Sequence, residues 1–181
     1  MRKPTSKVWA RNRKYTCSST SWRSLPRSIE PDDVKRLVKK RFNPRDKCLV
    51  MMLLRTGMRI CELLALKPPD INLRKRTVII HESAKNGHGR VLYISDDAYK
   101  ALRKWLKVRD PKKKYLLHSR NSENMSYETA RSAFMKCIKK SFLVKKGYTL
   151  HCLRHTFASE LLSTGMPLES LQVLMGHSHI E

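Results

Sequence analysis

A pair of side chains near the end of the sequence, His151 and Arg154, could bind a phosphodiester. In the segment LHCLRHTF they are three positions apart, and residues at this spacing lie on the same face of a helix. A guanidinium can bind two non-bridging phosphate oxygens while an imidazole holds or moves a proton. The first turn of such a helix adds backbone N–H groups and the positive end of the helix dipole. A chance H-x-x-R pair on a basic helix is the alternative interpretation.

Three further cationic or imidazole side chains occur at positions of similar interest. Arg59 follows a Thr-Gly turn and opens the apolar segment MRICELLALK. Positive charge at a helix N-terminus opposes the helix dipole unless an anion is held there. Lys85 lies at the tip of a predicted hairpin, where it could reach a DNA groove or could be an ordinary turn lysine. His177 belongs to the motif GHSH at the end of the sequence.

In this order, the motifs resemble the catalytic domain of the tyrosine recombinase (phage integrase) family. The resemblance rests on TGMRICELLALKPPDINL, a lysine in a β-hairpin, HCLRHTFASELL and LMGHSHIE, and it covers residues 28–181. It implies a site-specific DNA recombinase or integrase that cuts and rejoins double-stranded DNA. It also implies self-association, because the family works as a tetramer on two DNA segments.

The resemblance implies a role for each of the side chains named so far. Arg59 and Arg154 would clamp the scissile phosphate and stabilise the charge of the pentacoordinate transition state. Lys85 would protonate the departing 5′-oxygen as general acid, His151 would be an acid/base partner, and His177 would hydrogen-bond the phosphate. Fixed cations can catalyse phosphoryl transfer by positioning and electrostatics, so no metal or cofactor is expected.

The nucleophile of the family is a tyrosine, which forms a 3′-phosphotyrosyl link to DNA. The resemblance places it shortly after the GH motif, on the next helix. The sequence ends at Glu181, and all six of its tyrosines precede His177. We therefore expect residues 29–181 to be a catalytic domain that is incomplete at its C-terminus. The sequence would be a fragment, the gene would be a truncated remnant, or another subunit would supply the tyrosine.

The elements that must position these side chains are mainly helical. Periodicity and end signals predict helices in PDDVKRLVKKRF, PRDKCLVMMLLRT, MRICELLALK, SDDAYKALRKWLKV, SYETARSAFMKCIKKSF, HCLRHTFASELLSTG and PLESLQVLMG. Two β-branched runs, RTVIIHES and RVLYIS, flank Asn86-Gly87 and predict an antiparallel hairpin. KYLLHS is either a further short strand or an extended segment. The predicted fold class is mainly α with a small antiparallel β-sheet (α+β), which is also the catalytic-domain fold that the resemblance implies.

The charge of the chain favours a polyanionic partner. It has 39 Lys and Arg against 15 Asp and Glu, a net charge of +24. Such a field attracts nucleic acid or an anionic membrane surface. No apolar run reaches the length of a bilayer span, so we favour double-stranded DNA and expect no membrane partner.

The first 28 residues carry eight Lys and Arg and no acidic residue, and we expect them to form a flexible basic arm or linker. They contain no apolar h-region of a secretory signal, although their Arg- and Ser-rich composition loosely resembles a transit peptide. The five cysteines include no C-x-x-C pair. This pattern favours a reducing compartment, and we expect a prokaryotic cytoplasm or nucleoid.

Two other functions fit the same residues. A basic cleft without a nucleophile could bind DNA without cutting it, as a remnant or competitor of an intact recombinase. Alternatively, His151 and His155 have the i, i+4 spacing of zinc-binding helical pairs, with Cys152 adjacent. The cationic Arg154 and the lack of an intervening glutamate argue against a metal site. We interpret His155 instead as a residue that braces the helix.

Overall fold

The computed structural model describes residues 27–81 and 89–176 of the chain. Within these ranges the helices are α1 (Pro31–Lys39), α2 (Pro44–Thr56), α3 (Ile60–Ala65), α4 (Asp96–Val108), α5 (Tyr127–Lys140), α6 (Leu150–Ser163) and α7 (Leu168–Met175). The strands are β1 (Ile71–Asn72), β2 (Thr77–Ile80) and β3 (Arg90–Tyr93). Short 3₁₀ turns cover Pro68–Asp70 and Val144–Lys146. The predicted fold class, mainly helical with a small antiparallel sheet, is confirmed.

The core is built around α2. Every residue from Cys48 to Leu54 is buried, because a helix that is apolar on all sides must be surrounded by other elements. Helices α4, α5 and α6 pack against it. The side chain of Asn43 caps its start by accepting from the Arg45 N–H at 3.1 Å, and Gly57 ends it at φ +64°. Both ends of α2 are therefore well defined, and Gly57 at its C-terminal end lies in the candidate site.

The sheet has the order β1-β2-β3, with antiparallel neighbours. In the β2–β3 register, Ile79 faces Val91 and Ile80 faces Arg90. The hairpin is thus present in the described strands, whereas its tip at Asn86-Gly87 lies outside them. The register places Arg90 at the end of the sheet next to that tip.

Two details differ from the sequence predictions. Strand β1 was not predicted, because a two-residue strand is too short to display a period. The segment KYLLHS, residues 114–119, contains no strand; it bends, and Leu116 fixes it by donating its N–H to the Leu66 carbonyl at 2.8 Å. The Leu116 carbonyl in turn accepts from Trp105 Nε1 at 2.9 Å. Hydrogen bonds to Leu66 and Trp105, rather than a strand ladder, hold this connection.

The last two described helices carry the HCLRH segment and the approach to GHSH. Helix α6 buries Leu150, Leu153 and Thr156, and it packs on α2 and α7. A left-handed Gly165, at φ +88°, separates α6 from α7 as predicted. Helix α7 ends at Gly176, which is also left-handed. No helix in the described ranges has the length and apolar character to cross a bilayer.

Candidate active site

Two of the predicted site residues, Arg59 and Arg154, meet where three helices end or begin. The C-terminal ends of α2 and α7 and the N-terminal end of α3 converge there. His151 lies one helical turn before Arg154 at the exposed start of α6. Lys85 and His177 lie outside the described residues, so their predicted places stay predictions.

Arg154 is held by the carbonyl ends of two helices. One terminal nitrogen donates to the Gly57 carbonyl at the end of α2, and the other donates to the Met175 carbonyl at 2.7 Å. The last carbonyls of a helix have no partner within that helix and carry the negative end of its dipole. These contacts fix the plane of the guanidinium with backbone atoms, which cannot change rotamer.

The positive charge of Arg154 is confined in a half-buried position. Burial and the neighbouring charge of Arg59 lower the pKa of Arg154 to about 10, from an ordinary value of 12.5. The guanidinium is still protonated at neutral pH. Because part of its hydration has been lost, an anion placed beside it interacts more strongly than it would in bulk water.

Arg59 is the N-cap residue of α3, with extended backbone angles. Its backbone N–H donates to Glu62 Oε2 at 2.7 Å, and its guanidinium donates to Glu62 Oε1 at 3.2 Å and to the Gly176 carbonyl at 2.8 Å. A cation at a helix N-terminus is unfavourable, because it lies at the positive end of the helix dipole, unless a negative charge is close to it. Glu62, in the first turn of α3, supplies the required negative charge from within the chain.

Glu62 also binds Arg90, which the sequence analysis did not single out. Arg90 at the start of β3 donates to both carboxylate oxygens, at 3.0 and 2.7 Å. The two side chains are only 11% and 12% exposed. Burial raises the pKa of Glu62, but hydrogen bonds from Arg90 and from the Arg59 N–H outweigh that effect and leave it below its ordinary value. Glu62 is therefore ionised and joins the sheet to α3.

One sequence signal could have identified Glu62: an acidic residue three positions after an N-cap is the usual partner of the cap backbone. No comparable signal marks Arg90, because its contact joins a strand to a helix that is distant in sequence.

Two glycines permit these close contacts. A Cβ atom on Gly57 would lie 2.2 Å from Cδ1 of Phe157, and one on Gly176 would lie 2.7 Å from Nη1 of Arg90. Both glycines also have left-handed backbone angles, +64° and +67°, which L side chains rarely adopt. The residue types at these two helix ends are therefore set by the packing of the site.

The histidines of α6 differ in their surroundings. His151 is exposed and lies three residues before Arg154 on α6. His155 is half-buried, and its burial lowers its pKa. Electrostatic repulsion from His151 and Arg154 lowers this pKa further. His155 is therefore neutral at physiological pH. In residues 27–81 and 89–176 no group of three or more His, Cys, Asp and Glu side chains is arranged to hold a metal.

Lys85 and His177, which lie outside the described residues, are close in sequence to members of this network. Residues 82–88, which include Lys85, join β2 to β3, and β3 begins at Arg90. His177 follows Gly176, whose carbonyl binds Arg59. Arg90 and Gly176 are therefore each within five residues of a predicted site residue in the sequence.

The sequence matches the model of the phage integrase family over residues 27–181. It is 32% identical over 158 residues to the tyrosine recombinase XerA of Pyrococcus horikoshii, covering 87% of this chain and 55% of that protein. It is 33% identical over 144 residues to the tyrosine recombinase XerC of Caldanaerobacter subterraneus, covering 77% of this chain and 40% of that protein.

The crystal structure of XerA recombinase superposes with a TM-score of 0.77 at 28% identity, over 85% of this chain and 57% of that one. The chain thus spans about half the length of the relatives it matches. The order of the motifs, the fold and the match along residues 27–181 agree, and the chain belongs to the phage integrase family.

Proposed function

We propose that this chain is the catalytic domain of a site-specific recombinase that cuts and rejoins double-stranded DNA. The observation that carries the proposal is the pair of half-buried guanidiniums of Arg59 and Arg154, fixed to helix-end carbonyls. The similarity to proteins named tyrosine recombinases supports the same reaction. The Tn1549 transposon integrase, which has this fold at 22% identity and a TM-score of 0.73, is in complex with a circular intermediate DNA.

In this mechanism the two arginines bind the non-bridging oxygens of the scissile phosphate. Their positions are set before DNA arrives, so little reorganisation is needed as charge grows on the pentacoordinate phosphorus. Removal of either one is expected to slow strand cleavage about 100- to 1000-fold. No metal is part of the proposal, because the fixed cations supply the electrostatic stabilisation.

The remaining roles follow the family resemblance. Lys85 protonates the departing 5′-oxygen, the exposed His151 exchanges a proton with the reacting groups, and His177 hydrogen-bonds the phosphate. All six tyrosines of the sequence precede His177, and none of them is proposed as the nucleophile. The basic residues 1–28 add affinity for DNA, the active assembly is a tetramer on two DNA segments, and the protein works in the cytoplasm or nucleoid.

Trapping of covalent adducts on a pool of duplexes with randomised sequence tests the proposal. The chain, extended by the codons that follow Glu181 in its gene, is mixed with the pool and quenched in detergent. DNA that stays attached to protein is then sequenced. A recurrent site linked through a 3′-phosphotyrosine is the expected result, and Arg154→Ala should form this adduct about 100- to 1000-fold more slowly. Trapping at equal levels by both proteins would refute the assignment of Arg154.

A second function, DNA binding without cleavage, is favoured by the net charge of +24. It predicts duplex binding that weakens steeply with salt, because each neutralised phosphate releases counterions. It also predicts no adduct from the extended chain. A recurrent covalent site would exclude it as the function.

A further inference from the structure

The chain has a second cationic surface, far from the arginine site. We call it the basic–aromatic surface, and it consists of Arg36, Lys39, Lys40, Arg41, Phe42, Lys47, Lys104 and Phe142. Two grooves of about 320 and 370 Å³ cross it and share Lys39 and Lys40. It surrounds the start of α2, whereas the arginine site surrounds its end. The 13 residues of α2 separate the two by about 20 Å.

The charge of this surface has one sign. Among the described residues that line the two grooves there is no aspartate or glutamate. Lys39, Lys40 and Lys104 are exposed and come from two different helices. Lys47 has a structural role instead, because its ammonium donates to the Leu37 carbonyl in the last turn of α1 at 3.4 Å and to the carbonyl of the C-cap residue Lys40 at 3.2 Å. Exposed lysines from separate elements thus concentrate positive potential above one groove system.

An aromatic ring stands at the edge of this surface in an unfavourable backbone conformation. Phe142 is 85% exposed and has φ +61°. It occupies the position after the C-cap of α5, where its N–H binds the Lys139 carbonyl at 3.1 Å and the Leu143 N–H binds the Ile138 carbonyl at 3.0 Å. Glycine is the usual residue at this position of the motif, because a side chain is strained there.

Folding alone therefore does not explain Phe142. A glycine would relieve the backbone strain, and the exposed ring contributes little to the core. The ammonium of Lys40 lies 5.3 Å from the ring centroid, so cation and ring form one recognition element. Strain that a structure retains at an exposed position points to binding.

We propose that the basic–aromatic surface binds single-stranded nucleic acid, separately from the duplex held at the arginine site. The lysines follow the phosphate backbone, and an unpaired base stacks on the ring of Phe142. Aromatic rings beside cationic grooves bind single strands in this way without sequence preference. A duplex offers no free base face to a ring, and an acidic peptide would need the lysines but not Phe142.

The test compares Phe142→Gly with Phe142→Tyr in the 181-residue chain. Anisotropy of a short fluorescein-labelled oligothymidylate reports affinity, and thermal unfolding reports stability. Phe142→Gly is expected to raise Tm while weakening binding roughly tenfold or more. Phe142→Tyr keeps both the ring and the strain, so both values should stay near those of the original protein.

Charge-matched variants locate the binding site. Lys39→Gln with Lys40→Gln should weaken oligothymidylate binding and reduce its salt dependence more than Arg74→Gln with Lys75→Gln in the β1–β2 turn. Unaltered affinity of Phe142→Gly with a raised Tm would overturn the proposal. An equal loss of affinity in the Lys39/Lys40 variant and the Arg74/Lys75 variant would also overturn it. So would displacement of the oligonucleotide by polyglutamate to the same extent from the original protein and from Phe142→Gly.

Discussion

Arg59 and Arg154 donate to the carbonyls of neighbouring residues at the end of α7, Arg59 to Gly176 at 2.8 Å and Arg154 to Met175 at 2.7 Å. The two arginines come from opposite halves of the chain, yet one helix end sets the spacing between their charges. A shift of α7 would therefore move both guanidiniums. The position of α7 is thus a condition for phosphate binding, in addition to the arginines themselves.

Gly57→Ala should destabilise the protein by about 2 to 4 kcal/mol, since the new Cβ combines left-handed strain with overpacking. That Cβ would lie 2.2 Å from the ring of Phe157. Chemical unfolding measures the loss. Gly147→Ala is the matched control, with a similar φ of +67° but no atom within 4 Å of its Cβ, and should cost about 1 kcal/mol. Equal costs at the two glycines would contradict the packing argument.

Arg90 should act on catalysis through Glu62 and Arg59. Arg90→Ala leaves the buried Glu62 with one guanidinium, and we expect adduct formation to slow roughly tenfold to 100-fold through misplacement of Arg59. Duplex affinity should change little, so the loss appears in the cleavage rate. Arg90→Lys should recover only part of the rate, because an ammonium cannot form the bidentate pair.

The control for this prediction is Arg76→Ala. Arg76 pairs with Asp96 at the surface, with 49% and 74% of the two side chains exposed, and such a pair contributes little to stability. Equal effects of Arg76→Ala and Arg90→Ala on the cleavage rate would refute a positioning role for Arg90.

Glu62 should contribute to acid sensitivity. Its native pKa lies below the ordinary value of 4.5, so the unfolded state binds the proton first as pH falls. The stability from the ionised carboxylate is complete above pH 4.5 and is lost as pH drops through the lower native pKa. Glu62→Gln should be about 3 to 5 kcal/mol less stable at neutral pH.

The measurement is the free energy of unfolding as a function of pH. Glu62→Gln should lose less stability than the original protein below pH 4.5, whereas the exposed Glu169→Gln should follow the original curve. If the stability of Glu62→Gln fell with decreasing pH as steeply as that of the original protein, the proposal that Glu62 is ionised in the folded state would be contradicted.

Lys85 should be dispensable when the leaving group needs no proton. On a duplex with a bridging 5′-sulfur at the cleaved bond, the departing thiolate is stable without protonation. Lys85→Ala should therefore cleave this substrate nearly as fast as the original chain, yet cleave ordinary DNA about 100-fold or more slowly. Arg154→Ala should stay slow on both substrates. A Lys85→Ala defect of equal size on both would exclude a general acid role.

Helix bounds were the best predicted part of the fold because their signals are local. Pro31 and Pro44 mark the first residues of α1 and α2, and Gly57 marks the end of α2. The segment that begins at Ser126 was predicted to be helical, and the Ser126 side chain caps α5 by accepting from the Thr129 N–H at 3.2 Å. Each of these features depends on a few adjacent residues.

The candidate site was only partly predictable. Motifs identified Arg59 and Arg154, but nothing in the sequence marks the carbonyls of Met175 and Gly176 as their acceptors, because every residue has a carbonyl. The contact of Arg90 with Glu62 likewise depends on how the sheet packs against α3. The strain at Phe142 is invisible in sequence, since a phenylalanine after a helix is not unusual by itself.

The most direct test of the account is the rate of covalent adduct formation on the recurrent duplex site, measured with the chain extended past Glu181. Arg59→Ala, Arg154→Ala and the double variant are compared, with duplex affinity determined on the same samples. We predict that each single variant is about 100- to 1000-fold slower, that the double variant is little worse because the two act as a unit, and that affinity changes much less than rate. Adduct formation by Arg154→Ala at the original rate would contradict the central claim.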